Sequence, residues 1–279
     1  MGTDSDEGQK FPCVSVITVV YNAESVVEET IKSVLGQTYP AVEYVVVDGD
    51  SADDTWQIIQ EYGDRIDTAV SEPDDGIYDA MNKGAELATG EWVIYMNAGD
   101  RFASPNALSS VQHALMGTAD VILAGVEEVL VDEYETRRFR KMPGSARDLW
   151  RYMPTSHQSI LIRREHVLDY PFDTKYRWCA DQDQLLRLWA DNKQFESVDS
   201  VMSVFDCHDT PNRSQTLYIQ ERWELSRGHA SLWKRWIQFG REYIHSCLWG
   251  PIVSRIRGVL PASWILYLRR LRGTAGSGQ

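Results

Sequence analysis

The run Val14–Val20, Val-Ser-Val-Ile-Thr-Val-Val, constrains the fold more than any other stretch of the chain. A strand with one wet face alternates apolar and polar residues. A β-branched run this continuous has to be covered on both faces, as strands are in a parallel sheet lined by helices. Residues 44–47, 66–70 and 92–96 repeat the pattern. Between them lie helical stretches at 24–35, 53–62 and 76–88, with Asn22 placed to cap the first and Gly36 to end it. Strands alternating with helices predict a parallel sheet with right-handed crossovers.

Such sheets bind ligands beyond the carboxyl ends of their strands. The polar residues that follow the four runs are Tyr21-Asn22, Asp48-Gly49-Asp50-Ser51, Ser71-Glu72-Pro73-Asp74-Asp75 and Asn97-Ala98-Gly99-Asp100. All four groups are expected on one edge. After Asp100 the pattern changes to a helix at 105–116, strand-like runs at 121–123, 126–131, 134–140 and 159–162, and a helix at 181–190. That half of the sheet is expected to be mixed or antiparallel.

A chain of 279 residues accommodates one large domain with an appendage and needs no disulfides to hold its core. Four scattered cysteines with no Cys-x-x-Cys pair indicate neither a zinc cluster nor a disulfide framework, which fits a reducing cytoplasm. Residues 1–11 read as a disordered acidic tail rather than a secretory leader, and no apolar run reaches the ~18–20 residues of a membrane span. The net charge of −13 is uneven: residues 222–279 hold ten Lys and Arg against two acids, a local balance of +8. An acidic body excludes general nucleic-acid binding. We therefore divide the chain into the tail, a main α/β domain at 12–221 and a basic, Trp-rich helical extension at 222–279.

The stretch Ser71-Glu72-Pro73-Asp74-Asp75-Gly76-Ile77-Tyr78-Asp79-Ala80-Met81-Asn82-Lys83-Gly84, with Glu91-Trp92 and Asn97-Ala98-Gly99-Asp100 after it, closely resembles inverting family 2 glycosyltransferases in the branch that builds bacterial exopolysaccharide and O-antigen chains. The resemblance covers roughly residues 12–190 and implies the GT-A fold, an α/β mixed sheet with helices on both faces. It also implies a nucleoside-diphosphate sugar donor, UDP-sugar favoured and GDP-sugar possible, a glycan or polyprenyl-linked acceptor, and Mg²⁺ or Mn²⁺.

Carried over residue by residue, the resemblance gives nucleotide-sugar contacts to Thr18, Val20, Tyr21, Asn22, Asp48, Ser51, Asp74, Asp75, Lys83, Asn97 and Ala98. Asp100 matches the last acid of the family's metal motif, and a hard cation of this kind prefers oxygen ligands shared with the substrate's phosphates. Asn97 stands where many relatives have a first Asp, so metal affinity is expected to depend more on the bound diphosphate. His208 is a second metal candidate. Asp181, at the start of an apolar helix, aligns with the general base, with Asp183 as fallback, although Ala180 replaces a common Glu. His157 and Gln158 are expected to line the acceptor or donor pocket.

Two rival readings remain open at this level. An apolar strand ending in Asp48-Gly49-Asp50 also suits a phosphatase of the haloacid dehalogenase type. Asn97 and Ala180 leave room for a non-catalytic nucleotide-sugar-binding subunit. In the extension, Trp233, Trp236, Ile237, Gly240, Ile244, Cys247 and Leu248 share a helical face opposite Lys234, Arg235, Gln238, Arg241 and His245. A basic amphipathic helix with tryptophans suits an anionic membrane surface, which implies peripheral attachment at the inner face of the plasma membrane.

Overall fold

The computed structural model describes residues 11–131, 136–206 and 215–240. The chain divides into two units, 1–212 and 213–279. In the first, β1 (Val14–Val20), α1 (Val27–Leu35), β2 (Val42–Asp48), α2 (Thr55–Glu61), β3 (Thr68–Ser71), α3 (Ile77–Leu87) and β4 (Trp92–Tyr95) alternate as expected. Then follow β5 (Arg101–Phe102), α4 (Ala107–Ser110), α5 (Gln112–Leu115), β6 (Val121–Val131), β7 (Thr136–Lys141), β8 (Ile160–Arg163), α6 (Arg164–Asp169), α7 (Ala180–Ala190) and β9 (Phe195–Asp206). The second unit contains α8 (Gln215–Leu225) and α9 (Leu232–Arg235), which continues as a π-helical turn, Trp236–Gly240.

One sheet runs in the order β3-β2-β1-β4-β8-β6-β9-β5, with β7 paired to β6. Strands β1 to β4 are parallel, and β4 meets β8 antiparallel. Every residue of β1 is buried, as its unbroken apolar run demands. Fully burying each such Val or Ile contributes roughly 1.5–3 kcal/mol. Helix α3 lies close on the sheet because Gly84 has no side chain: a Cβ there would collide with Ile17 and stand 3.5 Å from Val47.

Three local expectations change. The helix expected at 105–116 is broken into α4 and α5, where Ser110 Oγ donates to the Ala107 carbonyl at 2.6 Å and competes with the helical ladder. Asn22 does not cap α1; its backbone is left-handed (φ 47°) and its Oδ1 accepts from Ala52 N at 2.9 Å. Of the extension's apolar stripe, Trp233, Trp236 and Ile237 face outward while Arg235 turns in, and Ile244, Cys247 and Leu248 lie outside the described residues. Arg235 lies 4.1 Å over the Trp223 ring and donates to Trp223 O at 2.6 Å and Ser226 Oγ at 2.7 Å.

Candidate functional site

The register aligns Val20 with Asp48 and Asp48 with Ser71, and Met96 N and Ala98 N donate to the Ile17 and Val19 carbonyls. The four strand ends, and the polar turns leaving them, therefore share one edge. Asp48 is fully buried, and its carboxylate accepts from Ser51 N at 3.1 Å, Ser51 Oγ at 2.5 Å and Ser71 Oγ at 2.6 Å. Ser51 Oγ accepts in turn from Asn22 N at 2.8 Å, which ties the turn after β1 to the turn after β2. Tyr21, 62% exposed, stands over this frame. Gly49 lies so close beneath Asp74 and Tyr21 that a Cβ would strike the Asp74 carboxylate and come within 3.3 Å of the Tyr21 ring. Sequence reasoning gave Gly49 no role; a glycine directly after a buried strand's terminal acid was the available signal.

Several expected nucleotide contacts are placed elsewhere. Thr18 is fully buried and joins three strands, donating to Met96 O at 2.7 Å and lying 3.1 Å from the Tyr44 hydroxyl. It braces the sheet rather than facing a ligand. Asp48 likewise shapes the wall from behind, and Val20 is 5% exposed. Burial also removes Asp48 as a phosphatase nucleophile, since an attacking carboxylate must reach its phosphorus. Lys83 is committed to the loop before α3: its ammonium contacts Pro73 O at 2.8 Å, Glu72 at 3.1 Å and Asp79 at 3.3 Å, and Glu72 above all holds its pKa high. Within that loop Asp74 accepts from Gly76 N, and Asp75 N donates to Asp79.

A second cluster spans the boundary between the parallel and antiparallel halves. Asp100 follows β4; Gln158, from the turn before β8, donates through Nε2 to Asp100 Oδ1 at 3.2 Å. His157 Nε2 lies 3.5 Å from Asp100 Oδ2 and 3.2 Å from the Asn97 amide nitrogen. Asn97 and Asp100 are each 8% exposed and Gln158 is fully buried. From behind, Thr30 of α1 donates to the Asp100 carbonyl at 2.8 Å and accepts from Gly99 N at 3.0 Å, with Gly99 at φ 95°. A threonine in the otherwise apolar inner stripe of α1 was the sign that this support exists.

Asn97 Oδ1 and Gln158 Oε1 are buried with no hydrogen-bond partner. Unsatisfied buried acceptors beside a carboxylate suit a hard divalent cation, which takes oxygen ligands. Among the described residues no three His, Cys, Asp or Glu side chains gather as a metal cluster. A cation here would rest on Asp100 and neutral oxygens, with the substrate supplying further ligands. His208 lies outside the described residues.

Asp181 occupies the first turn of α7, where its Oδ1 accepts from Gln182 N at 2.8 Å. Tyr78 of α3 meets this helix start. Burial, then the Asp181 charge, push its phenol pKa far up, although the backbone N–H groups of Ala180 and Asp181 lie at its oxygen. The first turn of α3 thus lies beside the start of α7. Asp183 is engaged otherwise, in an ion pair with Arg187 at 2.7 Å. Beside α7 a cleft of about 500 Å³ is lined by Asp75, Tyr78, Lys175, Tyr176, Arg177 and Trp178.

The sequence and the fold match known proteins. The "PGL/p-HBAD biosynthesis glycosyltransferase" of Mycobacterium bovis is 30% identical over 186 residues, 64% of this chain and 70% of that one. The first curated relatives, uncharacterized glycosyltransferases of Mycobacterium tuberculosis, are 37% identical over 111 residues, and the chain covers 42% of their length. Among solved structures, S. aureus TarS (residues 1–349) in complex with UDP-GlcNAc superposes with a TM-score of 0.61 at 17% identity, over 83% of this chain and 72% of that one. The mannosyltransferase PcManGT of Pyrobaculum calidifontis, in complex with GDP-Man and Mn²⁺, gives 0.61 at 18% identity, over 96% and 81%. The Glycosyl transferase family 2 profile matches residues 15–177, more than half of the chain. The protein therefore belongs to glycosyl transferase family 2 and has the GT-A fold.

Proposed function

We propose that the protein moves a sugar, with inversion, from a nucleoside-diphosphate sugar to a hydroxyl of a glycan or polyprenyl-linked acceptor in polysaccharide biosynthesis, using Mg²⁺ or Mn²⁺. UDP-sugar is the favoured donor and GDP-sugar the second. The observation that carries this reading is Asp100 at the strand-end edge beside two buried amide oxygens, Asn97 Oδ1 and Gln158 Oε1, that have no hydrogen-bond partner. The turns after β1, β2 and β3 would seat the nucleotide, with Tyr21, Asn22 and Ser51 at its surface. Asp74, Asp75, Asp79 and Asp100 make the mouth acidic, so an approaching diphosphate needs a cation between.

A bound cation would be held by Asp100 and Asn97 and would offset charge on the departing diphosphate. Asp181 would accept the acceptor's hydroxyl proton as the new C–O bond forms and the anomeric C–O bond to phosphate breaks. A helix N-terminus favours negative charge, the form of carboxylate a base requires. The cleft lined by Tyr176 and Trp178 would hold the acceptor's rings. The test is thermal stabilisation by UDP- and GDP-sugars with and without Mn²⁺, followed by transfer assays. A Mn²⁺-dependent rise in Tm with one donor class is expected; no stabilisation by either class would overturn the donor assignment.

We further propose that the extension rests on an anionic membrane surface at the cytoplasmic face. Leu232, Trp233, Trp236 and Ile237 are 61%, 74%, 59% and 46% exposed, which leaves a contiguous apolar patch in a segment of +8 charge. Such charge contributes about 1 kcal/mol per basic residue near anionic lipid. No helix among the described residues is long and apolar enough to cross a membrane. Sedimentation with anionic liposomes at low salt, lost in the double variant Trp233→Glu, Trp236→Glu, is the expected result. Equal sedimentation of both proteins would remove the patch from consideration.

A further inference from the structure

We propose that His157 is a direct ligand of the catalytic cation, completing with Asp100 and Asn97 a seat that favours Mn²⁺ over Mg²⁺. The inference rests on the metal-dependent reading above and adds to it a nitrogen ligand from the antiparallel half of the sheet. Its basis is spacing. Neighbouring ligands around an octahedral cation with bonds of about 2.1 Å stand roughly 3 Å apart. His157 Nε2 lies 3.5 Å from Asp100 Oδ2 and 3.2 Å from the Asn97 amide. His157 Nε2 therefore stands from the Asp100 carboxylate and from the Asn97 amide group at about the separations of ligands sharing one ion.

The amides reinforce this geometry. Asn97 Oδ1 has no hydrogen-bond partner, and a half-turn of the amide would place it where the nitrogen now faces His157. Gln158 is fully buried, and its Nε2 holds Asp100 Oδ1, leaving Oδ2 on the His157 side. Gln158 is thus a positioning residue that sets the carboxylate's orientation. The His157 side chain is 29% exposed, so one side of the seat is open to phosphate oxygens. Mg²⁺ demands oxygen ligands, whereas imidazole binds transition cations more readily. One carboxylate, one amide oxygen and one imidazole carry a single negative charge, too little to hold a cation firmly before the diphosphate arrives.

The experiment is pulsed EPR of Mn²⁺ bound to the full chain with UDP or GDP, with protein containing ¹⁴N- or ¹⁵N-histidine. A directly bonded nitrogen signal that changes with the label and vanishes in His157→Ala is expected. The same variant should bind Mn²⁺ about tenfold more weakly in the presence of nucleotide, with Mg²⁺ binding much less affected and Tm unchanged. No histidine signal in the wild type, or a signal that survives in His157→Ala, overturns the proposal. Asp100→Asn separates the levels: if it still binds Mn²⁺ with nucleotide as tightly as wild type, the metal reading itself fails. If Asp100→Asn loses the cation while His157→Ala keeps it at full affinity, the inference about His157 alone fails.

Discussion

The turn after β2 and the turn after β4 draw on the same polar residue types and end in opposite states. In Asp48-Gly49-Asp50-Ser51 the carboxylate is fully buried and accepts three hydrogen bonds, two from its own turn and one from β3. In Asn97-Ala98-Gly99-Asp100 the carboxylate has one amide donor from across the sheet, and two neighbouring amide oxygens have none. The first turn is a finished frame. The second is a site whose hydrogen bonding is completed only by what binds there, because a buried acceptor without a partner costs about 1–3 kcal/mol unless a ligand meets it. The two turns leave strands on either side of β1, so frame and unsatisfied site share the edge on which the donor is proposed to bind.

The largest effect should come from the active side. Asp181→Asn is expected to lower turnover by ~10² to 10⁴-fold with donor affinity nearly unchanged, because it removes proton acceptance and little shape. Near-normal turnover would transfer the base role elsewhere, and Asp183 could take it only by leaving Arg187. Next, Asp100→Asn or excess chelator should cut transfer by on the order of 10²-fold and weaken nucleotide binding in the same titration, as loss of electrostatic stabilisation does. Transfer that withstands both would equate the two turns and end the contrast.

The frame should respond in stability rather than rate. Ser71→Ala leaves the buried Asp48 short of one donor and should destabilise the fold by about 1–3 kcal/mol, read from denaturant midpoints. Asn97→Ala should cost less, about 1 kcal/mol or under, since it gives up one contact of its amide nitrogen with His157 while its Oδ1 has no bond to lose, and it should weaken binding of Mn²⁺ with nucleotide. A larger stability loss in Asn97→Ala than in Ser71→Ala would invert the comparison.

The smallest effect lies at the opposite end of β2. Burial raises the Glu43 pKa, but donors at Ser15, Thr89 and Gly90 outweigh it and hold it below 4.5. A depressed carboxylate contributes stability that is present above the unfolded value and lost as pH falls through the folded one. The wild type should therefore lose part of its stability on acidification below about pH 4.5, and Glu43→Gln should flatten that part of the profile. Superimposable acid profiles would show that these bonds do not favour the ionised form.

The alternation of buried strands and helices through residue 96 was legible because its cause is local: a run such as Val14–Val20 has no wet face in any arrangement. The edge on which the turns meet followed from parallel topology alone. Motif wording pointed to the family, and Asp100 and Asp181 with it. What the sequence left undecided depends on partners distant in the chain. The resemblance gave Thr18 and Asp48 nucleotide contacts; the hydrogen bonds each makes within the fold, to Met96, Tyr44, Ser51 and Ser71, were not readable from it. Lys83 looked available for a diphosphate until the loop at 72–79 folded back to it. Gln158 meets Asp100 from 58 residues away, a separation at which no local rule pairs side chains. Residue type and periodicity determined which elements form and which edge carries the chemistry; only the closed tertiary structure decided which carboxylates are saturated with donors and which remain for a ligand, because hydrogen-bond satisfaction is settled by groups that sequence neighbours do not supply.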